Sequence, residues 1–264
     1  MAGSTLEPIE IFLPSEGTSM TEKAKISDHR CTRCGHVAAE TDKFCAECGY
    51  FLRDAYIDQR LLLALVHERD GRSEEARHEL QRLLQAEPDH VLANHLLGSF
   101  YFHQGTMDLA IEHYEKAVHS APLFVLGYYD LGVAWYHRGN MLEASRAFLR
   151  CLEIDPDYKA AHYRLAVALF HSGTLEEARE HFEQSLVLTP EYLMAHYHLG
   201  VIYERQGDVE KAALEFERSC EESIGEVSSL YHLAMIRRAQ NDEAGADELL
   251  RRAREFGQAQ KAAS

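Results

Sequence analysis

From about Ile57 onward the chain repeats itself at an interval of 34 residues. Pro88, Pro122, Pro156 and Pro190 form one series; Gly71, Gly105, Gly139, Gly173 and Gly207, extended by Asn241, form a second; Ala76, Ala110, Ala144, Ala178, Ala212 and Ala246 form a third. Within each unit two amphipathic stretches of about 13 residues flank the Gly or Asn, the residue types that tolerate positive φ at a helix C-terminus. Pro follows the second stretch, where it ends a helix. Each unit is therefore predicted to be a helical hairpin, and the units to form one quasi-linear stack with local contacts and shared stability.

The stripes that bury the hairpins are legible. Tyr128, Leu131, Gly132 and Trp135 follow helical spacing on one stretch, as do Ala144, Phe148 and Cys151 on the next. Small residues facing one another, Gly98 with Ala110, Gly132 with Ala144, Ala166 with Ala178 and Gly200 with Ala212, predict close approach of the two helices. Composition agrees: six Pro and sixteen Gly in 264 residues disfavour a turn-rich β fold.

These residues resemble the tetratricopeptide repeat, whose signature is an aromatic, Leu, Gly and Tyr on the first helix, Ala and Phe on the second, then Pro. The resemblance implies an all-α, right-handed superhelical solenoid of six hairpins over 57–257, divided as 57–90, 91–124, 125–158, 159–192, 193–226 and 227–257, with 258–264 as a tail. The first unit is atypical, with Arg60 and His67 at aromatic positions, and the fifth has Ile224 where Pro is expected. The last face lacks an extra solvating helix, so it should be polar, consistent with Arg237, Arg238, Arg251 and Arg252, or meet a partner or a second copy.

Residues 1–28 show no period and are read as a flexible arm, with Met20 as an alternative start. Four of the six cysteines follow within 29–53, as Cys31, Cys34, Cys45 and Cys48 in a C-x2-C-x10-C-x2-C arrangement. Two such turns can aim four thiolates at one metal, the closed tetrahedral shell of structural zinc. Gly35 and Gly49 follow the pairs, and Phe44 precedes the third Cys. The segment resembles a short zinc ribbon, so one structural Zn2+ per chain is expected; redox thiols or local disulfides are the competing reading, and an all-protein shell leaves no open position for catalysis.

For a solenoid of this family the resemblance implies a concave groove lined by the first helices, receiving an extended peptide or a partner helix. The positions that should face it hold Tyr129, Val133, Tyr136 and His137; Tyr163, Val167, Phe170 and His171; Tyr197 and Val201; and Tyr231 and Met235. The tyrosines are also ordinary packing residues of the repeat, and the ladder His103, His137 and His171, like His196 and His198, reads as surface or packing. The Lys and Asn clamp with which some relatives hold a chaperone's C-terminal carboxylate is missing, because Leu61, Leu65, Leu96, Leu126 and Asp130 stand in its place.

With 43 acidic and 27 basic residues the net charge is -16, and residues 54–264 carry 35 acids against 21 bases. That argues against nucleic acid as the partner and for a protein or peptide with basic flanks, bound more weakly as salt rises. No stretch approaches the roughly 20 apolar residues of a membrane span, and the acidic N-terminus is no secretory signal, so a cytoplasmic location is expected. No phosphate loop, nucleophile elbow or HExxH occurs; Glu74, Glu75, Glu176 and Glu177 suit helix N-termini, and Cys151 and Cys220 fit a core. The expected function is a non-enzymatic adaptor, with a transcription-complex or nucleic-acid regulator acting through the ribbon, and a targeting subunit of an enzyme or secretion complex, as alternatives.

Overall fold

The computed structural model describes residues 31, 36, 37, 45, 59–189, 192–220 and 226–263. Among them the regular structure is twelve helices in six antiparallel pairs: α1 (Gln59–Arg69) with α2 (Ser73–Ala86), α3 (Val91–His103) with α4 (Met107–Ser120), α5 (Val125–His137) with α6 (Met141–Ile154), α7 (Lys159–Ser172) with α8 (Leu175–Leu188), α9 (Leu193–Gln206) with α10 (Val209–Ser219), and α11 (Glu226–Ala239) with α12 (Glu243–Ala263). Each first helix packs on its own partner and, from α3 on, also on the second helix of the preceding pair, so contacts run from neighbour to neighbour.

The glycine series explains how each hairpin closes. Gly71, Gly105, Gly139, Gly173 and Gly207 have φ between 73° and 88°, and Asn241 has φ 64°. Around each, the amide of the Gly or Asn bonds back three residues, as in Gly139 N–H to Tyr136 O at 2.9 Å, and the next amide reaches back five, as in Asn140 N–H to Trp135 O at 3.0 Å. This is the Schellman pattern, which satisfies carbonyls left open at a helix C-terminus. A Cβ at these glycines would meet nothing within 4 Å, so backbone conformation alone selects them.

The residue after the glycine works in two ways. Asn140, Asp208 and Asp242 accept from the amide three residues on and cap the second helix. Thr106 and Thr174 instead donate their hydroxyls to Tyr101 O and Leu169 O, both helix-ending carbonyls, at 3.0 and 3.1 Å.

The helices come close for a different reason than facing small residues suggest. A Cβ on Gly98 would lie 2.7 Å from the Tyr114 ring, one on Gly132 2.6 Å from Phe148, and one on Gly200 2.6 Å from Phe216. Each glycine makes room for an aromatic ring sixteen residues on, rather than for the alanine at twelve. Where that residue is Leu, as at Leu80 and Leu250, the small position is Ala, as at Ala64 and Ala234; Ala166 with Phe182 is the one exception to this matching. Phe148, Phe182 and Phe216 are fully buried.

The first and last pairs show what a missing neighbour does. Leu97, Leu131, Leu165, Leu199 and Leu233 hold one repeat position and are at most 7% exposed, whereas Leu63, at the same position of the first pair, is 47% exposed. At the other end, α12 runs 21 residues to Ala263, so 258–263, read from sequence as a tail, continue the helix through Gly257. Gln, Lys and Ala favour helix strongly enough to outweigh one glycine. Arg251 pairs with Glu248 and Glu255 on this helix, and Arg238 with Glu243 and Asp247, leaving that end polar. Ile224 and Pro190 lie outside the described residues; α10 ends at Ser219 and is three residues shorter than α8.

Candidate partner-binding groove

The first helices carry the predicted groove residues, and the structure sorts them by depth. Tyr129, Tyr163 and Tyr197 are half-buried wedges. Each lies against the aromatic ring of its own second helix: Tyr129 is 5.9 Å from Phe148, Tyr163 5.8 Å from Phe182 and Tyr197 6.1 Å from Phe216, between centroids. Tyr129 and Tyr163 also meet Tyr158 and Tyr192, from the turns that lead to the next pair, at 5.2 and 4.7 Å. Burial raises the Tyr163 phenol to about 12.

Val133 is half-buried, but Val167 and Val201 are only 7% and 9% exposed. They are core residues more than groove surface, because flanking repeats on both sides cover them. Met235 and Tyr231, in the last repeat and without a following neighbour, are 48% and 45% exposed.

The accessible rim is built from the ends of the first helices. His103, His137 and His171 are exposed, and Phe102, Tyr136 and Phe170 are half-buried. They form a stagger: Phe102 packs edge-on to His137 of the next pair at 5.3 Å, and Tyr136 meets His171 at 5.9 Å. The column continues with Arg205, whose guanidinium lies 4.9 Å from the centroid of Phe170. Arg205 holds the same repeat position as the three histidines, a match visible in the sequence once the column is followed past a change of residue type.

Other histidines are internal ties. Asn94 with His113 at 3.0 Å, His162 with His181 at 3.2 Å and His196 with Glu215 at 2.6 Å join the two helices of one pair at equivalent positions. Arg218 holds the other Glu215 oxygen at 2.9 Å. His198, two residues after His196, turns the other way and stacks on Phe182 of the preceding pair at 4.9 Å and 11°. Burial, with a smaller contribution from the charge of His171, lowers its pKa to about 4, and its Nδ1 has no hydrogen-bond partner.

Asp130, in the region a chaperone clamp would need, is engaged by His95 at 2.7 Å. A second concavity of about 310 Å³ lies between α10, α11 and α12, lined by Glu217, Cys220, Leu230, Leu233, Arg237, Leu249 and Arg252. It opens where Arg237 replaces the Tyr101, Trp135, Leu169 and Tyr203 of earlier repeats. Cys151 is fully buried and its thiol is pushed up to about 12 by burial, which suits a packing role.

Of the four expected zinc ligands, Cys34 and Cys48 lie outside the described residues. Cys31 and Cys45 are 2% and 0% exposed and pack together. The Cys31 amide donates to His36 O at 2.8 Å. Among the described residues no group of three or more metal-binding side chains gathers, and no helix is long and apolar enough to cross a membrane.

Fold and groove together define a helical-hairpin repeat scaffold, a class that presents a row of side chains to other proteins. One tetratricopeptide repeat model matches residues 61–123 and 110–159, and a second such model matches 158–221; the chain belongs to the tetratricopeptide repeat family. Solved structures agree. One of MamA is 25% identical, covers 63% of this chain and 95% of its own, with a TM-score of 0.58. Pseudomonas aeruginosa pilF is 19% identical over 73% and 87% of the two chains, with a TM-score of 0.60. YrrB, described as a TPR protein with an unusual peptide-binding site, is 16% identical over 67% and 91%, with a TM-score of 0.58. No curated protein sequence matches.

Proposed function

We propose that this protein is a non-enzymatic adaptor that works in the cytoplasm and holds a peptide segment or partner helix along the first-helix face of its solenoid. The observation that carries the reading is the staggered rim of Phe102, His137, Tyr136, His171, Phe170 and Arg205. It runs unbroken across four repeats and leads toward the exposed Tyr231 and Met235. Such a surface gives apolar and ring-edge contacts to an extended chain, and the net charge of -14 over 54–264 favours basic flanks. The peptide-binding description of YrrB supports the same use of the fold.

The test is selection from a displayed library of peptides with basic flanks, followed by titration of the selected peptides. Tyr136→Ala with Phe170→Ala should weaken binding at least about tenfold, the cost of removing two ring contacts, while the helical signal persists. Selected peptides that bind the double variant as well as the native protein would refute the groove.

Cys31, Cys34, Cys45 and Cys48 are proposed to hold one Zn2+ as a structural ion. Support comes from the donor set and from the shielding of one thiol of each pair in a shared cluster. When bound, the ion would stabilise a module too small for a core of its own. Elemental analysis should find about one zinc per chain, and Cys31→Ser with Cys45→Ser should abolish it.

A further inference from the structure

The four turns that carry the recurring Pro have an acid directly after it in three cases and Leu in one. Directly after the recurring Pro stand Asp89, Leu123, Asp157 and Glu191. Asp89 and Asp157 are exposed, as a solvated turn requires. Leu123 breaks that pattern with a large apolar side chain, although the same turn already buries Ala121 and Phe124, at 0% and 5% exposure. The sister turns close with an acid at this position, so closing the turn does not require the leucine.

The second observation is independent of the repeat. Leu123 is the described solenoid residue that packs against the cluster of Cys31 and Cys45, and it is itself half-buried. Chain length permits the contact: Gln59 lies eleven residue steps beyond Cys48, with ten residues between, a reach of up to about 36–40 Å when extended. Two repeats stacked about 10 Å apart lie between that start and the Leu123 turn.

We propose that the four-cysteine module is seated on the solenoid at the turn joining α4 to α5, with Leu123 as its docking residue. The occupant of this apolar spot is thus the chain's own N-terminal segment around Cys31 and Cys45. Resting on the zinc reading above, the docking makes the metal state a control on one face of the solenoid: loaded, the module covers the turn; stripped, it releases the turn to solvent.

The experiment uses the full chain and Leu123→Asp, which installs the residue type of the sister turns and so leaves the repeat fold intact, with Leu123→Met as the conservative control. Transfer of zinc to a colorimetric chelator should be about tenfold faster in Leu123→Asp, the order expected from losing a half-buried leucine contact, and unchanged in Leu123→Met. Hydrogen exchange should show the 121–124 turn deprotected by chelation in the native protein, but already deprotected and indifferent to chelation in Leu123→Asp. Equal transfer rates together with a native turn that ignores chelation would overturn the docking and leave the zinc site standing. A native protein that contains no zinc would overturn the metal reading alone; docking is then decided by whether Leu123→Asp deprotects 31–45.

Discussion

Gly132 shows how much one missing methyl group decides. Its ideal Cβ would lie 2.6 Å from the Phe148 ring, so Gly132→Ala should cost about 1–3 kcal/mol by overpacking. Phe148→Leu, which copies the Ala64 and Leu80 combination of the first repeat, should recover part of that cost in the double variant. Urea denaturation of the four-member cycle checks it, and strict additivity would sink the argument. His198 makes a second residue-scale prediction. Its folded pKa near 4 lies below the ordinary 6.5, so the folded state resists the proton that the unfolded chain accepts. The neutral ring's contribution is intact above pH 6.5 and is lost as the pH falls towards 4, by on the order of 3 kcal/mol. His198→Phe keeps the stack on Phe182 and lacks the titration. Its stability advantage over the native protein should therefore grow through that window, read by denaturation at several pH values.

At the scale of the helix pair, position in the stack matters as much as residue type. Leu165 is fully buried between repeats, while Leu63 at the equivalent position is 47% exposed. Leu165→Ala should cost about 2–5 kcal/mol and Leu63→Ala under about 1 kcal/mol, in chemical denaturation. The same logic corrects the groove. Val167 and Val201 were legible as a column, but their burial at 7% and 9% comes from both neighbours. Lysine there would strand a charge in the core and unfold the pair, so it cannot report on binding alone. Neighbouring pairs are also tied along one edge by Gln104 to Glu74, Arg138 to Asp108 and Gln206 to Glu176, at 3.4, 2.5 and 2.6 Å. These pairs recur at the repeat interval, but no local pattern marks them, because each joins two different hairpins.

For the whole molecule, the helical content of a stack held by nearest-neighbour contacts should not depend on the metal proposed for the cysteine segment. Chelation is expected to leave the helical circular dichroism nearly unchanged, since the twelve helices among the described residues lie in 59–263, while abolishing protection of the cysteine segment. Peptide binding should weaken steeply between low and physiological salt, because the -14 charge of 54–264 acts at long range and is screened within about 10 Å at 0.1 M. A salt-independent affinity would remove charge from the account of partner choice.

The hairpins, their number and their closing turns were determined by the sequence alone. The reason is local: positive φ, helix termination by Pro and helical periodicity act over a few residues, and the 34-residue recurrence displays them repeatedly. The pairing of Gly132 with Phe148 was equally present in the letters, and so was Arg205 in the histidine column. What only the tertiary structure decided depends on surfaces brought together from distant parts of the chain. Burial of Val167 and Val201, exposure of Leu63, Tyr231 and Met235, and the meeting of Leu123 with Cys31 and Cys45 follow from which neighbours a repeat has. Periodicity gives every repeat the same environment, and the ends of the stack and the contact of Leu123 with Cys31 and Cys45 make those environments differ.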